Sequence, residues 1–246
     1  MGTRIVAKDV DAEAFATEYA APIRRGLEAI HFLNGSLVKA ARNYAPGKAQ
    51  GKVVGAPVPQ PAYLSCKGTV NCIETAMSET EAMTLFIVAR TPADGTVSAE
   101  RPMFLGNYQG LAADGGAAWG VSIFVNSENR VTATGGFGAD AASNTNVLAG
   151  VTKPALANKW SLYMLQVSSA GVTMRDFTSN LIQTTNASTP RRLSTGKIRV
   201  GSGQTNLLGL CDVAVFQGHS TLLSDAEIQT TVADIRAYMI RKGVVV

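Results

Sequence analysis

Carboxylates two residues apart along a strand project from the same face of a sheet, which is one way to place the acid pair that glycoside hydrolysis requires. The strand candidates of this 246-residue chain contain no such pair. GVTMRDFTSN carries only Asp176, and LCDVAVFQG carries only Asp212. Glu74, Glu79 and Glu81 lie in ETAMSETEAM, which we interpret as a solvated loop leading into a strand. We therefore predict a protein that is not an enzyme, with a glycan hydrolase as the less favoured alternative.

Histidines and cysteines are too few and too scattered for nucleophilic or zinc chemistry. His31 and His219 adjoin no nucleophile motif. We predict that His31 is a hydrogen-bonded structural residue within a strand and that His219 is exposed in a turn. Cys66, Cys72 and Cys211 are predicted to be buried or half-buried thiols, although Cys66 and Cys72 could also face each other.

Aromatic residues in glycine-rich segments are the best candidates for binding a sugar, because such a site combines an aromatic platform with a few polar groups. Tyr108, Trp119 and Phe137 lie in or near segments of this kind. Each of these rings fits a place in the hydrophobic core equally well. The predicted carbohydrate-binding residues are Tyr108, Trp119, Asn107, Asn126 and Arg101.

Two aspartates in loops offer oxygen ligands for calcium, Asp114 in AADGG and Asp140 in GADAASNTN. Neither segment has the dense acidic spacing of a dedicated calcium loop. We therefore predict no cofactor, with calcium as the open alternative. The glycines of GGFG and GSGQT lack the lysine and the following helix of a phosphate loop, so we expect Gly135, Gly136 and Gly138 to form a bulge or bend.

The charge of the chain is mildly positive, with a formal net charge of +4 at pH 7. Between Phe177 and Cys211 the charged residues are all basic, and we interpret this cluster as an exposed loop and a strand edge. A nucleic-acid site would need more basic residues interleaved with aromatic ones, so we predict no nucleic-acid partner. No apolar run approaches the ~20 residues of a membrane span, and we predict no membrane insertion. The clustered basic residues are Arg191, Arg192, Lys197 and Arg199.

Short strands separated by turn residues, without helices between them, predict antiparallel sheets in an all-β jelly roll of two layers. MTLFIVAR is nearly all apolar and should be buried on both faces. KWSLYMLQVSS and GVTMRDFTSN should form a hairpin joined at residues 169–171.

Helix signals are confined to the two ends of the chain. Residues 1–21 are predicted as an N-terminal helical segment or arm, and residues 22–246 as the β domain. Within the first segment, Asp11 can cap a short helix that Pro22 stops. At the other end, Ser224 and Glu227 form a predicted capping box. The apolar stripe of the helix that follows should lie on a sheet or across an open end of the sandwich. This stripe contains Ile228, Val232, Ile235 and Met239.

The strand DVAVFQG, followed by a turn and by LSDAEIQ at the start of a terminal helix, resembles the end of the laminin-G-like branch of the concanavalin A-like lectin/glucanase domains. ETEAMTLFIVART, NKWSLYMLQVSSAGVTMRDFTSN and KIRVGSG are similar to other strands of these domains, and Trp160 matches a tryptophan expected in their core. PIRRGLEAIHFLNGS, NYAPGK, VVGAP and RPMFLGNYQG resemble the version found in virion and tail-associated proteins of bacteriophages. The resemblance extends from about Pro22 to Val246.

The resemblance implies a concanavalin A-like sandwich with one concave sheet, whose face or rim loops bind sugars or proteins in family members, sometimes with calcium. It also implies a non-enzymatic bacteriophage virion structural protein, tail- or surface-associated, made in the bacterial cytoplasm and located in the virion. The expected partners are other virion proteins and further copies of the chain, with host-surface glycans as the expected ligand. The alternative is a purely structural decoration, cement or connector protein without sugar binding, since the fold alone does not choose between them.

Overall fold

The computed structural model describes residues 16–203 and 207–246. These residues form two large antiparallel sheets, one small hairpin and two α-helices, α1 (Leu37–Ala41) and α2 (Asp225–Arg241). The strands in chain order are β1 (Leu27–Phe32), β2 (Lys52–Val54), β3 (Val58–Pro59), β4 (Leu64–Lys67), β5 (Cys72–Glu74), β6 (Met83–Arg90), β7 (Met103–Gly106), β8 (Gly110–Leu111), β9 (Ala117–Ala118), β10 (Ser122–Ser127), β11 (Arg130–Phe137), β12 (Thr145–Thr152), β13 (Ser161–Ser168), β14 (Gly171–Asp176), β15 (Leu181–Asn186), β16 (Arg199–Val200) and β17 (Leu210–His219).

The two large sheets pack face to face, which confirms the predicted jelly roll. Sheet A has eight strands in the order β15-β14-β13-β6-β17-β4-β3, and β1 pairs with the second half of β17. Sheet B has seven strands in the order β12-β11-β10-β7-β16-β5-β2. No helix in the described residues is long and apolar enough to cross a membrane.

The main core lies between the sheets. Alternate residues of each strand point into it, and Phe104 of sheet B stacks on Tyr163 of sheet A with 5.5 Å between ring centroids. Strand β6 is buried from Met83 to Ala89, as its apolar sequence predicted. Its neighbour β13 forms the predicted hairpin with β14, with Ser168 opposite Gly171.

Helix α2 packs on the outer face of sheet A and buries the predicted apolar stripe there. The helix begins as predicted, because Ser224 N donates to Glu227 Oε2 at 2.7 Å and the Ser224 hydroxyl accepts from Glu227 N. Tyr238 stacks on Phe32 of β1 with 4.3 Å between ring centroids. The sequence left open whether this helix lies on a sheet or across an open end of the sandwich, and the structure places it on sheet A.

The predicted N-terminal helix is not present in its described part. Residues 1–15 lie outside the described residues, and residues 16–21 contain no helix. Tyr19 N donates to Tyr44 O at 2.8 Å, and the Tyr19 hydroxyl donates to Asp234 Oδ1 of α2 at 2.8 Å. These bonds hold the segment in an extended path on the domain, so tertiary contacts override its helical pattern.

Other differences from the sequence prediction lie at the margins of the sheets. The edge strands β12 and β15 and the short helix α1 were not predicted. Gly135 and Gly136, which we expected in a bulge or bend, continue the regular pairing of β11 with β12. Trp160 is half-buried at the margin of the apolar cluster under α2, with Arg90 stacked 4.8 Å from its ring.

Candidate binding face

Within residues 16–203 and 207–246 no helix lies over the outer face of sheet B, and its central strands carry small polar side chains there. Ser122 of β10 pairs with Thr134 of β11, which pairs with Leu148 of β12. Directly paired residues share a face, so these three side chains form one row across the sheet. The next row contains Phe124 and Thr132. Ser122, Thr132 and Thr134 are therefore the small polar residues of these two rows.

The hydroxyl groups of Ser122, Thr132 and Thr134 are buried and have no hydrogen-bond partner among the described residues. Their residues are 0%, 1% and 0% exposed, respectively. Leaving a buried hydroxyl unpaired costs about 1–3 kcal/mol, so such groups are uncommon in a folded protein. Each hydroxyl is able both to donate and to accept a hydrogen bond.

Three aromatic rings lie together beside these hydroxyls. The centroid of Tyr108 is 5.3 Å from that of Trp119 and 5.7 Å from that of Phe124. Burial raises the pKa of Tyr108, and a hydrogen bond with Asn146 lowers it by less, so the phenol stays neutral at physiological pH. Because Phe124 is on β10 and Asn146 is on β12, Tyr108 lies across the intervening β11. The structure thus brings together Tyr108 and Trp119, two residues whose carbohydrate-binding role stays a prediction.

The loop that carries Tyr108 and Trp119 is residues 107–120, which contains the β8–β9 hairpin. Its contact with β11 is at Gly136, where an added methyl group would lie 2.9 Å from Gly120 N and 2.7 Å from Arg192 O. Arg192 donates to both carboxylate oxygens of Asp114, at 2.7 and 2.9 Å, and to Ala117 O at 2.7 Å. Arg192 is therefore buried against the hairpin, and its predicted exposure is wrong.

A buried ion pair fixes the base of the same loop. Glu79 and Arg191 form a salt bridge in which both side chains are 0% exposed, so the predicted solvation of Glu79 and exposure of Arg191 are wrong. Burial raises the pKa of Glu79, while Arg191 and the N–H groups of Ser194 and Asn107 lower it. Three donors converge on this carboxylate, and we therefore assign the charged form to it. The sequence prediction placed Glu79 and Arg191 in solvent because a charged side chain in a loop is normally solvated.

Of the remaining predicted binding residues, Asn107 and Arg101 already have hydrogen-bond partners within the fold. Asn107 is buried and donates to Glu79 Oε2 at 3.1 Å and to Gly196 O at 2.9 Å, so its amide supports the loop. Asn126 is exposed near the far end of β10, and Arg101 precedes β7 and donates to Gly95 O at 2.8 Å. Phe137 is in the core. Ser122, Thr132 and Thr134 were missed because a strand hydroxyl in a sequence gives no sign of being unpaired.

The aspartates considered for calcium have other partners. Asp114 pairs with Arg192, and Asp140 Oδ1 accepts from Ser143 N at 2.8 Å. These contacts and neighbouring backbone N–H groups lower the pKa of both carboxyls. The described residues contain no group of three histidine, cysteine, aspartate or glutamate side chains that could hold a metal ion.

The histidines and cysteines are buried structural residues. His31 Nδ1 donates a 3.0 Å hydrogen bond to Ala40 O, as predicted, because a carbonyl oxygen only accepts. His219 is the last residue of β17 and contacts Arg25 O at 2.9 Å, so its predicted exposure is wrong. The three thiols are free and buried. Cys66 faces Cys211 across β4 and β17, and not Cys72.

Comparison with known proteins gives a fold and no family. No family model and no curated protein sequence matches the chain. Among solved structures, the binding domain of botulinum neurotoxin serotype D superposes with a TM-score of 0.62 at 11% identity, over 87% of this chain and 52% of that chain. The binding domain of botulinum neurotoxin DC, solved in complex with SialylT, gives 0.60 at 12% identity, over 86% and 52%. This chain thus spans about half the length of each, and the likeness shows a β-sandwich fold.

Proposed function

We propose, from the sandwich that the chain shares with these toxin binding domains, that it is a non-enzymatic binding protein that recognises carbohydrate on the outer face of sheet B. The observation that carries this proposal is the Tyr108–Trp119 pair beside buried hydroxyls that have no partner. A sugar ring offers an apolar face to an aromatic ring and hydroxyl groups to polar side chains, and the face provides both.

The chemistry of the face favours binding over hydrolysis. Strands β10, β11 and β12 carry no acidic residue, and glycoside hydrolysis by the usual route needs two. The hydroxyls of Ser122, Thr132 and Thr134 match the mixed donor and acceptor character of a sugar. A ligand that hydrogen-bonds to them would offset the cost of leaving them unpaired.

The location that we propose is a bacteriophage virion, at the tail or the particle surface, where the domain meets host-surface glycans. The support for this location is the likeness of its N-terminal half to phage tail-associated proteins, described above. A structural role without sugar binding is the second candidate. It is favoured by exposed apolar side chains on two edge strands, Ile182 of β15 at 60% and Leu148 of β12 at 40% exposure.

Glycan-array binding of the purified chain, followed by calorimetry on the best ligand, tests the sugar site. We expect Tyr108→Ala to weaken binding at least about tenfold, because it removes a ring that supplies contact area and a hydroxyl. Tyr108→Phe should retain most of the affinity. Trp160→Ala is the matched control, because this tryptophan is half-buried on the other side of the sandwich.

Binding of no glycan by the folded protein would exclude the sugar-binding role. Equal binding by the wild-type and Tyr108→Ala proteins would show that the glycan binds at a different part of the protein. Repeating the array with a chelator tests calcium. The position and copy number of the chain in purified particles distinguish an exposed tip protein from a component that tiles a lattice.

A further inference from the structure

A single charged side chain lies on the strands that form the candidate binding face. Strands β10, β11 and β12 together contain one charged residue, Arg130. Its guanidinium makes no hydrogen bond or ion pair with the described residues. Five other arginines of the described residues are paired with carboxylates. These pairs are Arg25–Glu227, Arg90–Asp212, Arg191–Glu79, Arg192–Asp114 and Arg199–Glu74.

The guanidinium of Arg130 lies over Gly150, next to the unpaired hydroxyl of Thr132. A methyl group added at Gly150 would be 2.8 Å from Arg130 Nε, 3.0 Å from Nη2 and 2.7 Å from Thr132 Oγ1. The Arg130 guanidinium and the Thr132 hydroxyl therefore lie close to the same point on the sheet. The absence of a side chain at Gly150 leaves space for both. Thr132 is 1% exposed and its hydroxyl has no partner.

This donor pair is continuous with the aromatic rings. Thr132 pairs with Phe124 on the neighbouring strand, and Phe124 contacts Tyr108. A ligand that packs on the aromatic rings would thus extend a substituent across Phe124 to Arg130. The guanidinium fork matches a carboxylate in shape and charge, and the threonine hydroxyl supplies a further donor.

We propose that the carbohydrate bound at this face is acidic, and that Arg130 and Thr132 bind its carboxylate. This inference rests on the proposed sugar site and specifies its ligand class. A sialic acid and a uronic acid present the same carboxylate on a pyranose ring. Swinging of the flexible Arg130 side chain away from Gly150 gives the carboxylate access to the Thr132 hydroxyl.

Calorimetry with paired oligosaccharides tests the inference. The probes are a sialylated oligosaccharide with its desialylated form, and a hexuronate oligosaccharide with its carboxyl-reduced form. We expect wild-type protein to bind one acidic member about tenfold or more tightly than its neutral partner, because hydrogen bonds to charged groups contribute more than neutral ones. The preference should decrease as salt is added.

The variants separate charge from folding. Arg130→Met keeps the apolar stem and should remove the acidic preference while leaving binding of the neutral partner unchanged. Thr132→Val is nearly isosteric and should reduce the preference in part. Arg175→Met is the matched control, because Arg175 lies on sheet A with its guanidinium 4.5 Å from the Phe177 ring.

The outcomes distinguish this inference from the proposed function. Equal wild-type affinity for the acidic and neutral members of both pairs would overturn the acidic ligand while leaving a sugar site in place. Retention of the preference by Arg130→Met would overturn the role of Arg130. Binding of no oligosaccharide by the folded protein would remove the proposed function and this inference with it.

Discussion

On the outer face of sheet A, Phe86, Val88 and Met164 lie beneath helix α2, whereas the corresponding layer on sheet B contains Ser122, Thr132 and Thr134. The first set belongs to a second apolar core that continues through Phe32 and Tyr44. The second set is polar, and its hydroxyls have no partner within the described residues. Helix α2 thus covers the outer face of sheet A, whereas three buried hydroxyls on the outer face of sheet B have no hydrogen-bond partner among the described residues.

The difference separates residues that stabilise the fold from buried hydroxyls that the fold leaves unpaired, and a ligand reaches these hydroxyls only when the side chains over them move. Burying apolar side chains under α2 stabilises the folded chain without any partner. An unpaired buried hydroxyl does the opposite, because it loses water and gains no bond. We therefore expect substitutions on the covered face to lower stability, and isosteric substitutions of the hydroxyls to affect mainly binding.

The largest expected effect is on the covered face. Tyr238→Ala removes a ring that stacks on Phe32 and should lower the free energy of unfolding by about 3–5 kcal/mol, measured by urea denaturation. Tyr238→Phe is the control, because it removes only the hydroxyl that accepts from Asn34 Nδ2 at 2.8 Å, and should cost about 1 kcal/mol. If both variants lose the same stability, the ring packing is not what holds α2 to the sheet.

The next effect is a pH dependence that originates at His31 of β1, whose side chain points away from α2 and toward Phe216 and Ala40. Burial lowers the pKa of His31 to about 4. In the unfolded chain a histidine titrates near about 6.5, so between these two values the unfolded state binds more protons and stability falls as the pH falls. The His31 contribution is fully present above pH ~6.5, and about 3 kcal/mol of it is lost by pH ~4.

Comparing wild-type protein with His31→Gln isolates this contribution from the carboxylates, which also titrate in acid. The stability advantage of the wild type should shrink by that amount between neutral pH and pH ~4. Parallel stability curves for the two proteins would show that folding does not lower the pKa of His31. On the other face, β10, β11 and β12 hold no histidine or acid. These strands therefore contribute no titration of their own to ligand binding in this range.

The covered half of the molecule was the more predictable one from sequence. The capping box at Ser224 and the apolar run of β6 are local patterns whose physical cause lies within a few residues. Strands β12 and β15 were missed because edge strands that are exposed on one side carry Asn, Thr and Gln, and therefore lack the apolar alternation that marks a strand. Residues 16–21 contain no helix, and Tyr19 there bonds to α2, which is distant in sequence and could not be foreseen from the local pattern.

The binding face was predicted only in its aromatic residues. Tyr108 and Trp119 stood out because large rings in a glycine-rich loop are uncommon there. Asn107 was given a binding role because the sequence does not show that Glu79 is buried beside it. The contact between Asn107 and Glu79 depends on which loops pack together, and the residues near each of them in sequence do not indicate this.

A smaller effect is expected where Arg192 holds the β8–β9 hairpin against the sheet. Arg192→Met should cost about 1–2 kcal/mol in stability, because it removes the bonds to Asp114 and Ala117 O. It should also speed amide exchange in residues 110–118 and weaken carbohydrate binding through looser placement of Trp119. The control is Asp114→Asn, which removes a half-exposed charge but keeps an acceptor. Unchanged exchange in the hairpin would show that Arg192 does not hold it.

The smallest expected change in stability, and the one that best distinguishes the two faces, is at Thr134. Thr134→Val keeps the shape of the side chain and replaces a hydroxyl that has no partner with a methyl group. The free energy of unfolding should therefore stay the same or rise by up to about 1 kcal/mol, whereas the same substitution at a paired hydroxyl costs stability. Thr84 of β6 provides that comparison, because its hydroxyl donates to Thr221 O at 2.9 Å and accepts from Leu223 N. A loss above ~1 kcal/mol at Thr134 would mean that the hydroxyl is satisfied in the folded protein, and it would then no longer be available to a sugar.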